Sequence, residues 1–183
     1  MNRVERFLES NDIEILKNLK GKKIDYITHE PFDVSCTSLR VVQLAIGEDR
    51  YYLYCDTEVQ NYFGVPEDIT YFEFSAVRHP FVDMVEHVEN HIGAVITSIA
   101  EIKDTIKYYE DGELDFEYSF TRGLIFSFGD YQLSFEKTSD FTEFIYVRKG
   151  YNLLSSFKPV EVYLNDFKEG CDVRVFRRSD IIC

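Results

Sequence analysis

The 183-residue chain has no tryptophan, two methionines, four prolines and four cysteines. Its longest unbroken apolar run is five residues, Tyr51–Cys55, against the roughly 20 that a membrane-crossing helix needs. Cys36, Cys55, Cys171 and Cys183 are 19, 116 and 12 residues apart, so no CxxC pair points to a zinc ribbon or a thioredoxin-type redox motif. Such sparse cysteines read as free thiols in a reducing cytoplasm. The nine glycines are scattered, with neither GxGxxG nor GxxxxGK[ST] among them, and no GxSxG elbow occurs. The opening MNRVERFLESNDIE carries charge from its third residue and lacks the apolar stretch of a signal peptide. Basic residues are also scarce: 20 Lys and Arg face 33 Asp and Glu, a net charge of −13. That field repels phosphates and anionic lipids, so neither nucleic acid nor membrane is expected as a partner.

What the chain does have is apolar and aromatic material. It is 45% hydrophobic, with 13 tyrosines and 16 phenylalanines, and at this length roughly 70% of the unfolded surface can be buried without a metal or disulfide. One domain over 1–183 is expected, of α+β class: an antiparallel sheet of hairpins and meanders, an N-terminal helix and a central helix. Leu8, Ile13, Ile15, Leu16 and Leu19 sit near helical spacing, with Asn11 and Glu14 in the form of a capping box and Gly21 as the stop. A strand through Ile24, Tyr26 and Thr28 should follow. A second helix is expected to begin at Pro80, with Phe81, Val85, Val88 and Ile92 along one side. Residues 94–109 stay open between helix and strand, with β-branched Val95, Ile96, Thr97, Ile99 and Ile102 favouring a strand.

Two hairpins can be registered on paper. A loop Gly47-Glu48-Asp49-Arg50 sets Ile46 opposite Tyr51, Leu44 opposite Leu53 and Val42 opposite Cys55, all on one face. A two-residue Gly129-Asp130 turn sets Phe128 opposite Tyr131, Phe126 opposite Leu133 and Leu124 opposite Phe135. Just before it, Leu114, Phe116, Tyr118 and Phe120 alternate with Glu113, Asp115, Glu117 and Ser119, which makes a three-strand meander. The segments EFIYV, VEVYL and DVRVF read as further strands, with a short helix around Tyr151 to Phe157. Gly21-Lys22-Lys23-Ile24 is echoed in spacing by Gly93-Ala94-Val95-Ile96, which suggests two similar halves, about 1–92 and 93–183.

Catalytic signatures are weak. Asp83, His87 and His91 follow at i, i+4, i+8 and on a helix would share a ridge able to hold zinc or ferrous iron. Without the glutamate of HExxH the spacing is unspecific, and a solvated helix face explains it better. No metal or other cofactor is therefore expected. A small metal-dependent hydrolase built on these residues is one alternative, and a homo-oligomeric scaffold with aromatic faces buried between copies is another. Arg174, Arg177 and Arg178 make a small basic patch, too little against −13 to suggest nucleic acid.

The acid is unevenly spread. Residues 48–73 hold seven acidic residues and one basic, and residues 101–117 seven and two, in both cases with tyrosines interleaved. A solvated surface is the plain explanation. The functional one is a surface for a basic protein, in which carboxylates steer encounter and aromatic anchors supply affinity. The candidate partner-binding residues are Glu48, Asp49, Tyr52, Tyr54, Asp56 and Glu58, with Tyr109, Glu110, Asp111, Glu113, Asp115 and Glu117.

The Gly21-Lys22-Lys23-Ile24 strand start and the GLIFSFGDYQLSFEK hairpin, in a small acidic chain, resemble bacterial immunity proteins of polymorphic-toxin and contact-dependent inhibition systems. The resemblance implies a non-enzymatic, cytoplasmic inhibitor that binds one cognate toxin domain, often a nuclease, and covers its basic surface with carboxylates.

Overall fold

A computed structural model describes residues 2–29, 38–83, 88–167 and 170–183. Alternating apolar, aromatic and β-branched residues dominate the chain, and they form strands almost throughout. The strands are β1 (Asn2–Arg6), β2 (Lys23–His29), β3 (Ser38–Leu39), β4 (Val41–Ile46), β5 (Asp49–Tyr62), β6 (Val65–Ser75), β7 (Val88–Val95), β8 (Ser98–Glu110), β9 (Glu113–Ser127), β10 (Gln132–Ser139), β11 (Thr142–Gly150) and β12 (Asp172–Ile181). The eight-residue α1 (Ser10–Lys17) is the sole α-helix among the described residues. The α+β expectation is therefore corrected: the fold is mostly antiparallel β, in two sheets. No helix among the described residues is long and apolar enough to cross a membrane.

The expected central helix is replaced by a 3-10 turn, Pro80–Asp83, and by β7. Val88, Ile92 and Val95 prefer the pleated backbone, and β7 finds a partner for it in β2. VEVYL is also not a strand. Held behind Pro159, it winds into a 3-10 turn, Val160–Asp166. Three-residue spacing brings Val160 and Tyr163 onto the core and leaves Val162 and Leu164 exposed. α1 begins two residues earlier than expected, with a capping box between Glu9 and Asp12 rather than Asn11 and Glu14.

One sheet runs β6-β5-β4-β2-β7; the other, seven-stranded, runs β12-β8-β9-β10-β11-β3, with β1 lying parallel beside β9. The second hairpin has the expected register, Phe126 opposite Leu133 and Leu124 opposite Phe135. The first is shifted by two residues: Gly47 (φ +59°) and Glu48 form a two-residue turn that sets Ile46 opposite Asp49 and Leu44 opposite Tyr51. Because the shift is even, the apolar residues keep their common face. Gly21 (φ +79°) lies in the turn before β2, whereas Gly93 (φ +63°) lies inside β7.

The expected three-strand meander is corrected as well, because residues 113–127 form one continuous strand. Its even-numbered residues from Leu114 to Phe126 are apolar except Arg122, as if they shared one face. They do not. Ile102 on β8 faces Gly123, but Lys103 faces Thr121, so Arg122 is the extra residue of a β-bulge. The bulge exchanges the two faces. Phe116, Tyr118 and Phe120 enter one core with Ile69, Ile106 and Tyr163. Leu124 and Phe126 enter the other, between the sheets, with Ile27, Leu44, Leu53, Phe74 and Phe135. Leu16 and Leu19, in α1 and just after it, close this second core. Each such buried aromatic or aliphatic side chain contributes about 2–3 kcal/mol.

Candidate functional site

The chain between β11 and β12 must cross from one side of its sheet to the other, and two buried carboxylates anchor the crossing. Asp104 accepts hydrogen bonds from Arg177 Nε and Nη2, both at 2.7 Å, and from the Tyr163 hydroxyl at 2.9 Å. Glu136 accepts from Arg122 Nε at 3.2 Å, Arg148 Nη1 at 2.6 Å and the Lys158 amide at 2.8 Å. Burial, followed by the adjacent Arg122, lowers the Lys158 ammonium below its ordinary value. Burial also raises the Tyr163 phenol far above its own. This buried charge is fully paired and acts as a clamp. It holds the 160–166 turn, and the turn delivers Phe167 to one end of the molecule.

At that end two hairpin tips meet. The β5–β6 tip is a Phe63-Gly64 turn with both residues at positive φ, +50° and +89°. The β8–β9 tip is an Asp111-Gly112 turn of the same kind, +51° and +84°. Phenylalanine is an unusual occupant of the left-handed region. Its ring is held by Phe116 at 4.3 Å, Tyr62 at 4.7 Å and Phe167 at 4.8 Å. Between the tips lies a cleft of about 390 Å³ lined by Phe63, Tyr108, Glu110, Asp115, Phe116, Phe167 and Cys171.

A second bulge gives the cleft its charge. Tyr108 faces Phe116 while Tyr109 faces Leu114, so Asp115 is the extra residue and turns toward the same cleft as Phe116. Glu110 lies directly opposite Glu113, two like charges on neighbouring strands, an arrangement that is destabilising by itself. Glu110, Asp111, Glu113 and Asp115 are all exposed and make no ion pair among the described residues. The Tyr108 phenol is raised above its ordinary value, first by the neighbouring Cys171, then by burial and the Glu110 carboxylate. Aromatic faces beside unpaired carboxylates suit a cation, with the rings contributing through their negative π faces.

The twelve residues read from the sequence do not form one patch. Glu48 and Asp49 are exposed at the start of β5, and the cleft lies beyond its far end. Fourteen strand residues put about 40 Å between them, more than one interface of ordinary size spans. Tyr52 is a core residue, buried with Val41 and Val82. Tyr54 is half-buried, its hydroxyl donating to Glu73 and its ring 4.3 Å from that of His79. Asp56 is exposed, and Glu58 pairs with Arg6 at 2.6 Å. Tyr109 is half-buried with the Arg174 guanidinium 4.3 Å over its ring. Glu117, expected in line with Glu113 and Asp115, lies on the opposite face, buried between Arg3 at 3.2 Å and Lys107 at 3.0 Å. Glu110, Asp111, Glu113 and Asp115 are brought together at the tip.

Phe63, Tyr108, Phe116, Phe167 and Cys171 were outside the sequence reading of the site. The dipeptides Phe63-Gly64 and Asp111-Gly112, each between alternating runs, carried the signal for tight turns. Nothing in the sequence says that the two tips meet. Of the Asp83, His87 and His91 set, Asp83 ends a 3-10 turn, His91 lies on β7 and His87 falls outside the described residues, so no helical ridge joins them. Among the described residues no group of three or more His, Cys, Asp or Glu is placed to hold a metal. Cys55, Cys171 and Cys183 are free thiols, and Cys36 lies outside the described residues. No family model, curated protein or solved structure matches the chain.

Proposed function

We propose that this chain is a non-enzymatic protein-binding inhibitor, of the immunity-protein kind, that neutralises a basic partner such as a toxin nuclease domain. The supporting observation is the cleft between the two hairpin tips, where the Glu110 and Asp115 carboxylates stand beside Phe63, Tyr108 and Phe167. An arginine or lysine side chain of the partner would enter it, neutralise the Glu110–Glu113 repulsion and lie against aromatic faces. The remaining acidic surface steers the encounter, so association slows as salt rises.

The test is co-expression with the product of the adjacent gene, followed by affinity measurement on the purified complex. The unmodified chain should form a stoichiometric complex. Glu110→Lys/Asp115→Lys should weaken it by at least about 100-fold, roughly 3 kcal/mol. Glu48→Lys/Asp49→Lys, at the far end of β5, should leave the equilibrium affinity within about threefold and mainly slow association. Equal loss from both pairs would place the interface elsewhere, and no complex at all would remove the inhibitor reading.

A further inference from the structure

The edge of the seven-stranded sheet carries a second interaction surface, independent of the cleft. β12 pairs with β8 along all ten of its residues, and among the described residues its other side has no neighbouring strand. Natural edge strands are commonly short, bulged or interrupted by proline, which prevents pairing with other chains. β12 is ten residues long, pairs without a bulge and has no proline; its edge is marked by charge instead, at Asp172, Arg174, Arg177, Arg178 and Asp180. The Ile182 amide donates to Ile99 O at 2.8 Å, so even-numbered residues direct their backbone groups to β8. Val173, Val175, Arg177, Ser179 and Ile181 therefore present N–H and C=O outward. Phe176 and Ile181 are 53% and 69% exposed on this edge.

We propose that β12 pairs antiparallel with β12 of a second copy about a two-fold axis at Arg177, joining two seven-stranded sheets into one. Charge favours that register over the neighbouring one centred on Phe176. With Arg177 at the axis, Arg174 lies opposite Asp180 of the second copy, Phe176 opposite Arg178, and Val173 opposite Ile181. With Phe176 at the axis instead, Arg174 would meet Arg178 and Asp172 would meet Asp180, like against like. The two Arg177 side chains nearest the axis are already turned inward, each held by Asp104 and the Lys158 carbonyl. Two chains of net charge −13 repel over most of their surfaces. β12, with three arginines against two aspartates, is nearly neutral, so the acidic field is weak along it.

Light scattering after gel filtration, over about 1 to 200 µM, should show a species of twice the 21.6 kDa chain mass. Arg174→Asp and Asp180→Arg, each alone, should raise the dimer dissociation constant at least about tenfold by setting like charges opposite. The double variant Arg174→Asp/Asp180→Arg should restore it. Ser179→Pro removes an amide that points away from β8 and has no strand partner among the described residues, so it should leave the circular dichroism spectrum unchanged and abolish the dimer. A chain monomeric throughout that range would overturn the proposal. So would a dimer insensitive to both single substitutions, or one that the double variant fails to rescue.

Discussion

At the scale of single residues, chemistry set by sequence neighbours was readable and chemistry set by burial was not. Asp12 illustrates both. As the third helical residue it caps the Glu9 amide, a role typical of an acidic residue in the first turn. Folding also buries it under the β6 strand, and that burial pushes its carboxyl up to about 6. The folded chain therefore holds a proton that the unfolded chain has already released between about pH 4 and 6. Stability from this group is greatest below pH 4, declines as pH rises through 6, and is lowest and constant above it. Asp12→Asn keeps an acceptor and removes the charge. It should raise stability at pH 7.5 by about 1–2 kcal/mol, with the gain fading by pH 4.5. Urea unfolding at the two pH values checks this, and an asparagine variant less stable at pH 7.5 would mean that the cap outweighs the burial.

At the scale of elements, the strands were legible wherever apolar residues alternate between turn signals. The second hairpin came out residue for residue because Gly129-Asp130 admits one loop length. The first slipped by two because Gly47-Glu48-Asp49-Arg50 can close as a two- or a four-residue loop, and the even slip kept every side chain on its face. The helix placed over Pro80 to Ile92 failed because apolar residues at i, i+4 and i+7 also fit an edge strand with half-buried Ile92 and Ala94. β9 carries the deeper lesson. Its alternation from Leu114 to Phe126, interrupted at Arg122, is one pattern in the sequence and two faces in the fold, because a bulge at Arg122 reverses it. Gly123 makes that bulge sterically possible: a Cβ there would stand 2.1 Å from Phe135 O on the next strand and 2.9 Å from the Phe157 ring. Gly123→Ala should destabilise the chain by about 3 kcal/mol. Gly150→Ala, whose Cβ would meet only the mobile end of Leu153 at 3.2 Å, should cost less than about 1 kcal/mol. Chemical denaturation followed by tyrosine fluorescence distinguishes the two, and equal losses would refute the steric account.

At the scale of the whole molecule, the two sheets are tied by a buried charge. The Lys137 ammonium, fully buried, donates to Thr70 O at 2.7 Å, pairs with Asp140 at 2.7 Å and lies 4.5 Å over the Phe120 ring. The Thr70 amide in turn donates to Asp140 O at 2.9 Å, which closes the exposed edge of β6 against the β10–β11 turn. Lys137→Met leaves the Asp140 carboxylate buried without its cation and should cost about 3–5 kcal/mol. Adding Asp140→Asn should recover part of that loss, because the uncompensated charge is then gone. A single substitution that costs under about 1 kcal/mol in urea unfolding would show that the sheets are held by apolar packing alone.

The sequence by itself determined the acidic surface field, the aromatic material of the core, the tight turns and the alternation that makes strands, because each depends on composition or on residues within a few positions of one another. Tertiary structure decided the rest. It chose which face each half of β9 buries, turned Asp115 into a cleft and Glu117 away from it, and took Tyr52 into the core. It also brought Phe63, Glu110 and Phe167 together from three separate segments. Those outcomes depend on contacts between residues tens of positions apart, and on a single extra residue at each of two bulges, whose effect on side-chain direction no local pattern records.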